Sequence, residues 1–281
     1  MIELYRPEWK QNKTKTILYA VGFVCLFTLL LVLFSQLKAI VPPALERYAH
    51  GVVGMLAAFT TTWLFLRYEG KTFRQIGLNW EAGTIKRFLA GTVAGCIISA
   101  AMVFLQVVFS GLKIEPVDST AIPVFILWSF ALLPLAFMEE IAFRGYPFIK
   151  LTEACGIRIT QLTIAILFGL YHVTNGWPVW LAFLGPAIWS LAFGLASLLS
   201  QGIAAPTGLH VGVNYVLALI GSQKGIPALW TIDFPGNASE EMLAANERFG
   251  YTIQLVLLAI CILVTEWLIR SRYKAIKMGN P

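Results

Sequence analysis

The chain has 281 residues, of which 58% are hydrophobic and 13% charged, with a formal net charge of +6. An average soluble domain is about 45–50% apolar and about 25% charged, so this balance excludes a soluble globular protein and predicts a multi-pass membrane protein. The basic excess then belongs to membrane topology, and the lack of a basic patch interleaved with aromatics argues against a nucleic-acid partner.

Eight apolar segments follow one another, each close to the ~20 residues that cross a ~30 Å hydrocarbon core. They are Ile17–Leu37, Tyr48–Leu66, Phe88–Leu112, Ile122–Phe143, Ile159–Val173, Trp177–Leu199, Ile203–Ile220 and Tyr251–Ile269. The first is too long for a signal-peptide core and lacks a small-residue cleavage end, so it is expected to persist as a transmembrane helix. After the second comes a basic loop, Arg67–Arg87, expected along the membrane surface. The fifth segment is short, and the seventh carries Pro206, Gly208 and Gly212 beside His210. Short or interrupted spans commonly border functional cavities. Between the last two, Ser222–Gly250 reads as a solvated connector or a lid, with a Pro-Gly-Asn-Ala-Ser turn leading into a short amphipathic helix.

With a cytoplasmic N-terminus, the inner segments hold sixteen of the 21 Lys and Arg, counting Arg6, Lys10 and Arg144. The outer ones hold Lys38, Arg47, Lys113, Lys224 and Arg248. That asymmetry is the positive-inside pattern, and an even number of spans puts both termini in the cytoplasm. The expected fold is all-α, about eight transmembrane helices in one membrane-embedded domain over residues 1–281. Cys25, Cys96, Cys155 and Cys261 are scattered without CxxC spacing, which predicts neither a zinc knuckle nor a disulfide framework.

Chemistry concentrates in three of these segments. Glu139 and Glu140 sit in an otherwise uncharged apolar run, and ionisable groups at membrane depth mark functional sites. Residues four apart share a helix face, so Glu140 points at Arg144, whereas the matching neighbour of Glu139 is Phe143. Glu139 is therefore the freer carboxylate, suited to act as a general base. Phe168 and His172 share one face, as do His210 and Asn214. Helical rise puts Glu139, His172, His210 and Asn214 at comparable depth, so a common site is geometrically feasible.

Those residues resemble a known family. EEIAFR (Glu139 to Arg144) resembles the EExxxR motif of the CAAX-processing and bacteriocin-processing (CPBP) intramembrane endopeptidases. FGLYH (Phe168 to His172) resembles that family's FxxxH, and HVGVN (His210 to Asn214) its HxxxN. FRQIGL (Phe73 to Leu78) is similar to a stretch that often precedes the family core, and the likeness covers roughly residues 70 to 220. The resemblance implies a membrane endopeptidase, expected in a prokaryotic cell membrane, with a conical cavity open to the cytoplasm. Its substrate would be a lipidated, hydrophobic or membrane-associated peptide, a CaaX tail or a bacteriocin leader. Carried over, Glu139 and His172 activate a water, His210 and Asn214 form an oxyanion hole, Glu140 and Arg144 brace the site, and Phe168 supports it.

Cofactor use stays open at this level. Family members have been classed as metalloproteases, and Glu139, His172 and His210 would be the zinc set. No HExxH occurs, and Asn214 is a poor zinc ligand but a good oxyanion donor, so no obligate metal is expected and zinc remains an alternative. Two other classes also remain. One is a non-catalytic protein of the same fold in bacteriocin immunity or scaffolding. The other is a proton-coupled transporter with Glu139 and His172 as relay, against which the lack of an internal repeat counts.

Overall fold

A computed structural model of the protein describes residues 12–117, 122–223 and 225–277. Arg6, Lys10 and Lys224, which entered the charge count, lie outside the described residues, as do both chain ends. The protein is an all-α polytopic membrane protein. Among the described residues, seven helical stretches are long and apolar enough to span a bilayer: Lys13–Ile40, Pro43–Glu69, Thr84–Ser110, Ile122–Cys155, Ile157–Thr174, Val179–Ser200 and Glu240–Ser271. The eighth expected span is a helix too, Ala204–Leu219, but its 16 residues reach only about 24 Å at 1.5 Å per residue, short of a ~30 Å core.

Local chemistry sets the ends of these helices. Helix α1 (Lys13–Ser35) starts where the Asn12 side chain accepts the Lys15 N–H at 3.2 Å, an N-cap that satisfies an otherwise orphaned donor. Helix α2 (Glu46–Glu69) ends at Gly70, whose φ of 66° is the left-handed conformation that only glycine adopts freely. Helix α3 spans Thr84–Ser110.

The fourth expected span is broken into α4 (Ile122–Ser129) and α5 (Leu132–Arg144). Pro134 sits in the first turn of α5, where its missing N–H costs nothing. A further helix, α6 (Tyr146–Cys155), follows Gly145 with Pro147 in its first turn. Helix α7 (Ile157–Thr174) matches the fifth expected span. The sixth is split by Gly185-Pro186 into α8 (Val179–Leu184) and α9 (Pro186–Ser200), and Ala204–Leu219 is α10.

The connector after α10 departs most from expectation. Its Trp230–Asp233 segment, strand β2, pairs antiparallel with Lys113–Pro116, strand β1, in the register Lys113 to Asp233. The expected short amphipathic helix is instead the start of the 38-residue α11, Glu240–Lys277.

The core gathers aromatic side chains of α1, α2, α5, α6 and α7 around the middle of the bundle. Phe27 meets Phe143 edge-on at 6.2 Å, Phe143 meets Phe168 at 4.9 Å, and Phe23 stacks on Tyr146 at 5.4 Å. Large apolar side chains such as Leu33 on α1, Ile97 and Phe104 on α3, and Leu263 on α11 point outward, as lipid-facing residues do.

Helices α3 and α10 pack backbone against backbone, because glycines face one another. A Cβ added to Gly91 or Gly95 of α3 would lie within about 3 Å of Leu209 backbone atoms. One added to Gly208 or Gly212 of α10 would lie 2.9 Å from the Thr92 nitrogen or 2.8 Å from the Cys96 nitrogen. The two GxxxG pairs let the backbones touch, the usual route to tight helix packing in membranes. His210 sits between the two glycines of α10.

Candidate active site

Glu139, Glu140 and Arg144 are carried by α5. Glu140 and Arg144 are fully buried, and Arg144 Nε lies 3.3 Å from Glu140 Oε2, one helical turn away. The Arg144 guanidinium also donates through Nη2 to the Ser190 carbonyl at 3.1 Å and to Ser190 Oγ at 2.8 Å. Its carbon lies 4.7 Å from the Phe168 ring centre and 5.2 Å from that of Phe193. A buried ion pair needs such company: the opposite charge, hydrogen bonds and π faces offset the loss of water. Arg144 is thus a core residue, buried as the partner of Glu140.

Glu140 has a second partner that its helix could not reveal. Its Oε1 lies 2.9 Å from Nδ1 of His210 on α10. A carboxylate already held by a guanidinium only accepts, so His210 donates from Nδ1 and turns Nε2 the other way. Nε2 then stands 3.7 Å from Glu139 Oε2, too long for a direct hydrogen bond and short enough for a shared water. Phe193 stacks on the His210 ring at 4.5 Å and 16° between planes, and Phe168 closes it edge-on at 6.3 Å. Glu139 keeps 14% of its side chain exposed where Glu140 keeps none.

His172 approaches from α7. Its Nδ1 lies 2.9 Å from the Phe168 carbonyl; a carbonyl oxygen only accepts, so Nδ1 carries the proton, and Nε2 has no hydrogen-bond partner among the described residues. Phe168, Tyr171 and Trp177 surround the ring at 4.6, 5.3 and 5.5 Å. Five of the residues expected from sequence, Glu139, Glu140, Arg144, Phe168 and His210, are therefore in one contact network. His172 borders it through Phe168. Asn214 lies one turn beyond His210 on α10, half-buried, and its hydrogen bond is to Gln223.

A zinc set of Glu139, His172 and His210 is not assembled. Among the described residues no three His, Cys, Asp or Glu side chains converge into a group that could hold a metal ion. Ser190, Phe193 and Gln223 were not foreseen, since single residues of these types carry no spacing signal. The facing glycines are legible in the sequence as GxxxG in GTVAG (Gly91–Gly95) and GLHVG (Gly208–Gly212).

Fold and network together define a multi-pass membrane protein with a carboxylate–histidine centre inside its helical bundle. Residues 120–216 match the family model described as Type II CAAX prenyl endopeptidase Rce1-like. That match supports assigning the chain to the CPBP/CAAX protease family, a family of intramembrane endopeptidases that act on membrane-associated peptides. All seven site residues from Glu139 to Asn214 fall inside the matched span. No curated protein matches the chain.

Proposed function

We propose that the protein hydrolyses a peptide bond in a lipidated or otherwise membrane-associated peptide of CaaX type, using a water activated by Glu139 and His172. The observation that carries this reading is the split between the two glutamates. Glu140 is consumed by Arg144 and His210, whereas Glu139 is partly exposed and faces His210 Nε2 across a gap of one water. A base must reach the proton it removes, directly or through one water.

In this mechanism Glu139 takes a proton from the water as oxygen attacks the scissile carbonyl, with the free Nε2 of His172 as the second acceptor. Negative charge then develops on the carbonyl oxygen. His210, protonated and held at Nδ1 by Glu140, donates to it from Nε2, and Asn214 donates from its amide. Fixed donors in a water-poor site stabilise such an oxyanion far more than they would in water. Glu139 finally returns its proton to the leaving amine as the tetrahedral intermediate collapses. No step runs through a metal.

The direct experiment incubates the purified protein with prenylated and unprenylated CaaX peptides and identifies the fragments by mass spectrometry. A single cut after the modified cysteine, with the prenylated peptide preferred, is the expected result. No cleavage of any peptide would refute the reading.

A further inference from the structure

Arg47, Gln223 and Asn214 form a hydrogen-bond chain, two members of which lie outside the residues matched by the family model. Arg47, near the start of α2, donates through Nη2 to Gln223 Oε1 at 3.2 Å. Gln223 in turn donates through Nε2 to Asn214 Oδ1, also at 3.2 Å. One end fixes the direction of the whole chain. A guanidinium has donors and no acceptor, so the oxygen of the Gln223 amide must face it. The NH2 of Gln223 then faces away, and Asn214 must meet it with its oxygen. What remains at the far end is the Asn214 NH2, which no acceptor among the described residues takes.

The segment carrying Gln223 is itself anchored. Ile226 is buried beside Phe125, Leu132 and Ala218, and the Leu229 N–H donates to the Leu219 carbonyl at 3.0 Å. Gly225, at φ 76°, passes against the Arg47 side chain, where a Cβ would lie 3.3 Å from Cδ. The connector after α10 therefore closes over Arg47 and presents Gln223 to Asn214 in a fixed place.

An oxyanion donor needs this. The two ends of a side-chain amide are nearly equal in size and opposite in polarity. An unrestrained Asn214 could turn its carbonyl oxygen toward the developing negative charge and oppose the reaction. We propose that Arg47 and Gln223 are positioning residues that lock the Asn214 amide with its NH2 toward the reacting carbonyl oxygen. The proposal rests on the reading of Asn214 as an oxyanion donor.

The test measures kcat and KM of the full-length protein in nanodiscs on an internally quenched prenylated CaaX peptide. Gln223→Glu keeps a partner for Arg47 but removes the donor to Asn214. Loss of an oxyanion donor costs about 10²–10³ in kcat, so Asn214→Ala should fall in that range and Gln223→Glu should lose about 30-fold or more, with KM unchanged within about twofold. The double variant should be no slower than Asn214→Ala alone, because the relay acts only through that residue. Arg47→Lys, still a pure donor, should retain most activity, and Arg47→Met should lose about tenfold.

Thermal unfolding checks each variant, and Gln223→Leu replaces Gln223→Glu if the latter does not fold. Wild-type kcat in a folded Gln223 variant, or losses that multiply in the double variant, would overturn the relay and leave the oxyanion role of Asn214 intact. An unaffected Asn214→Ala enzyme, or a wild type that cleaves neither this peptide nor a peptide library, would instead remove the reading on which the relay stands.

Discussion

The contact between α3 and α10 makes Gly208→Ala a sharp probe of how the fold holds the site. A Cβ at this position would lie 2.9 Å from the Thr92 backbone nitrogen and closer still to the Phe88 carbonyl oxygen. Ordinary contact begins at 3.4 Å, so α10 must move by at least 3.4 − 2.9 = 0.5 Å. His210 lies two residues on, and its Nδ1 is 2.9 Å from Glu140. Directed along that bond, a displacement of this size would take it beyond the ~3.2 Å limit of a good N–H···O bond. Overpacking of this kind costs about 1–3 kcal/mol, against a gain of up to ~1 kcal/mol from alanine's helix propensity. Activity should suffer more than stability, because a misplacement of about 1 Å can cost about 10²-fold. The assay compares cleavage rate and thermal unfolding of Gly208→Ala with those of Gly22→Ala. Gly22 lies in α1 with nothing within 4 Å of its would-be Cβ, so that substitution should be neutral or stabilising by about 0.5–1 kcal/mol. A Gly208→Ala enzyme as active and stable as the Gly22→Ala control would refute the reasoning.

Glu140→Gln should cost about 3–5 kcal/mol of stability, since it leaves the Arg144 charge buried without its partner; calorimetry in detergent checks this, and it should also slow cleavage because an amide has one acceptor oxygen for the two donors, Arg144 and His210, that the carboxylate serves. General acid–base catalysis predicts a bell-shaped kcat–pH profile for the wild-type enzyme. Exhaustive chelation should leave that profile unchanged; activity lost to a strong chelator and regained with stoichiometric zinc would mean that the donors reorganise around a metal.

The helices were legible because a membrane span is written in composition and length, and α1, α2, α3 and α7 fall where the apolar runs put them. Breaks within spans were less so. Pro134 and Gly185-Pro186 are visible, yet a proline inside an apolar run signals a kink or an end with equal force. The length of α10 could not be judged from hydrophobicity, since its partner α3, rather than lipid, covers one face. At the site, helical periodicity was enough to pair Glu140 with Arg144 and to separate Glu139 from both. It could not show that Glu140 also holds His210, because that contact joins residues 70 apart in sequence. Gln223 and Arg47 were illegible for the same reason: a hydrogen bond between a connector and a helix 176 residues away leaves no periodic trace.

The central claim is that Glu139, and not its buried neighbour, performs the chemistry. Initial rates of prenylated CaaX peptide cleavage by wild type and Glu139→Gln, both folded in nanodiscs, test it most directly. Loss of both the base and its proton return should lower kcat by about 10³-fold or more, given contributions of about 10²–10⁴ from general acid–base catalysis, with an unchanged unfolding temperature. Wild-type rates in Glu139→Gln would contradict the account.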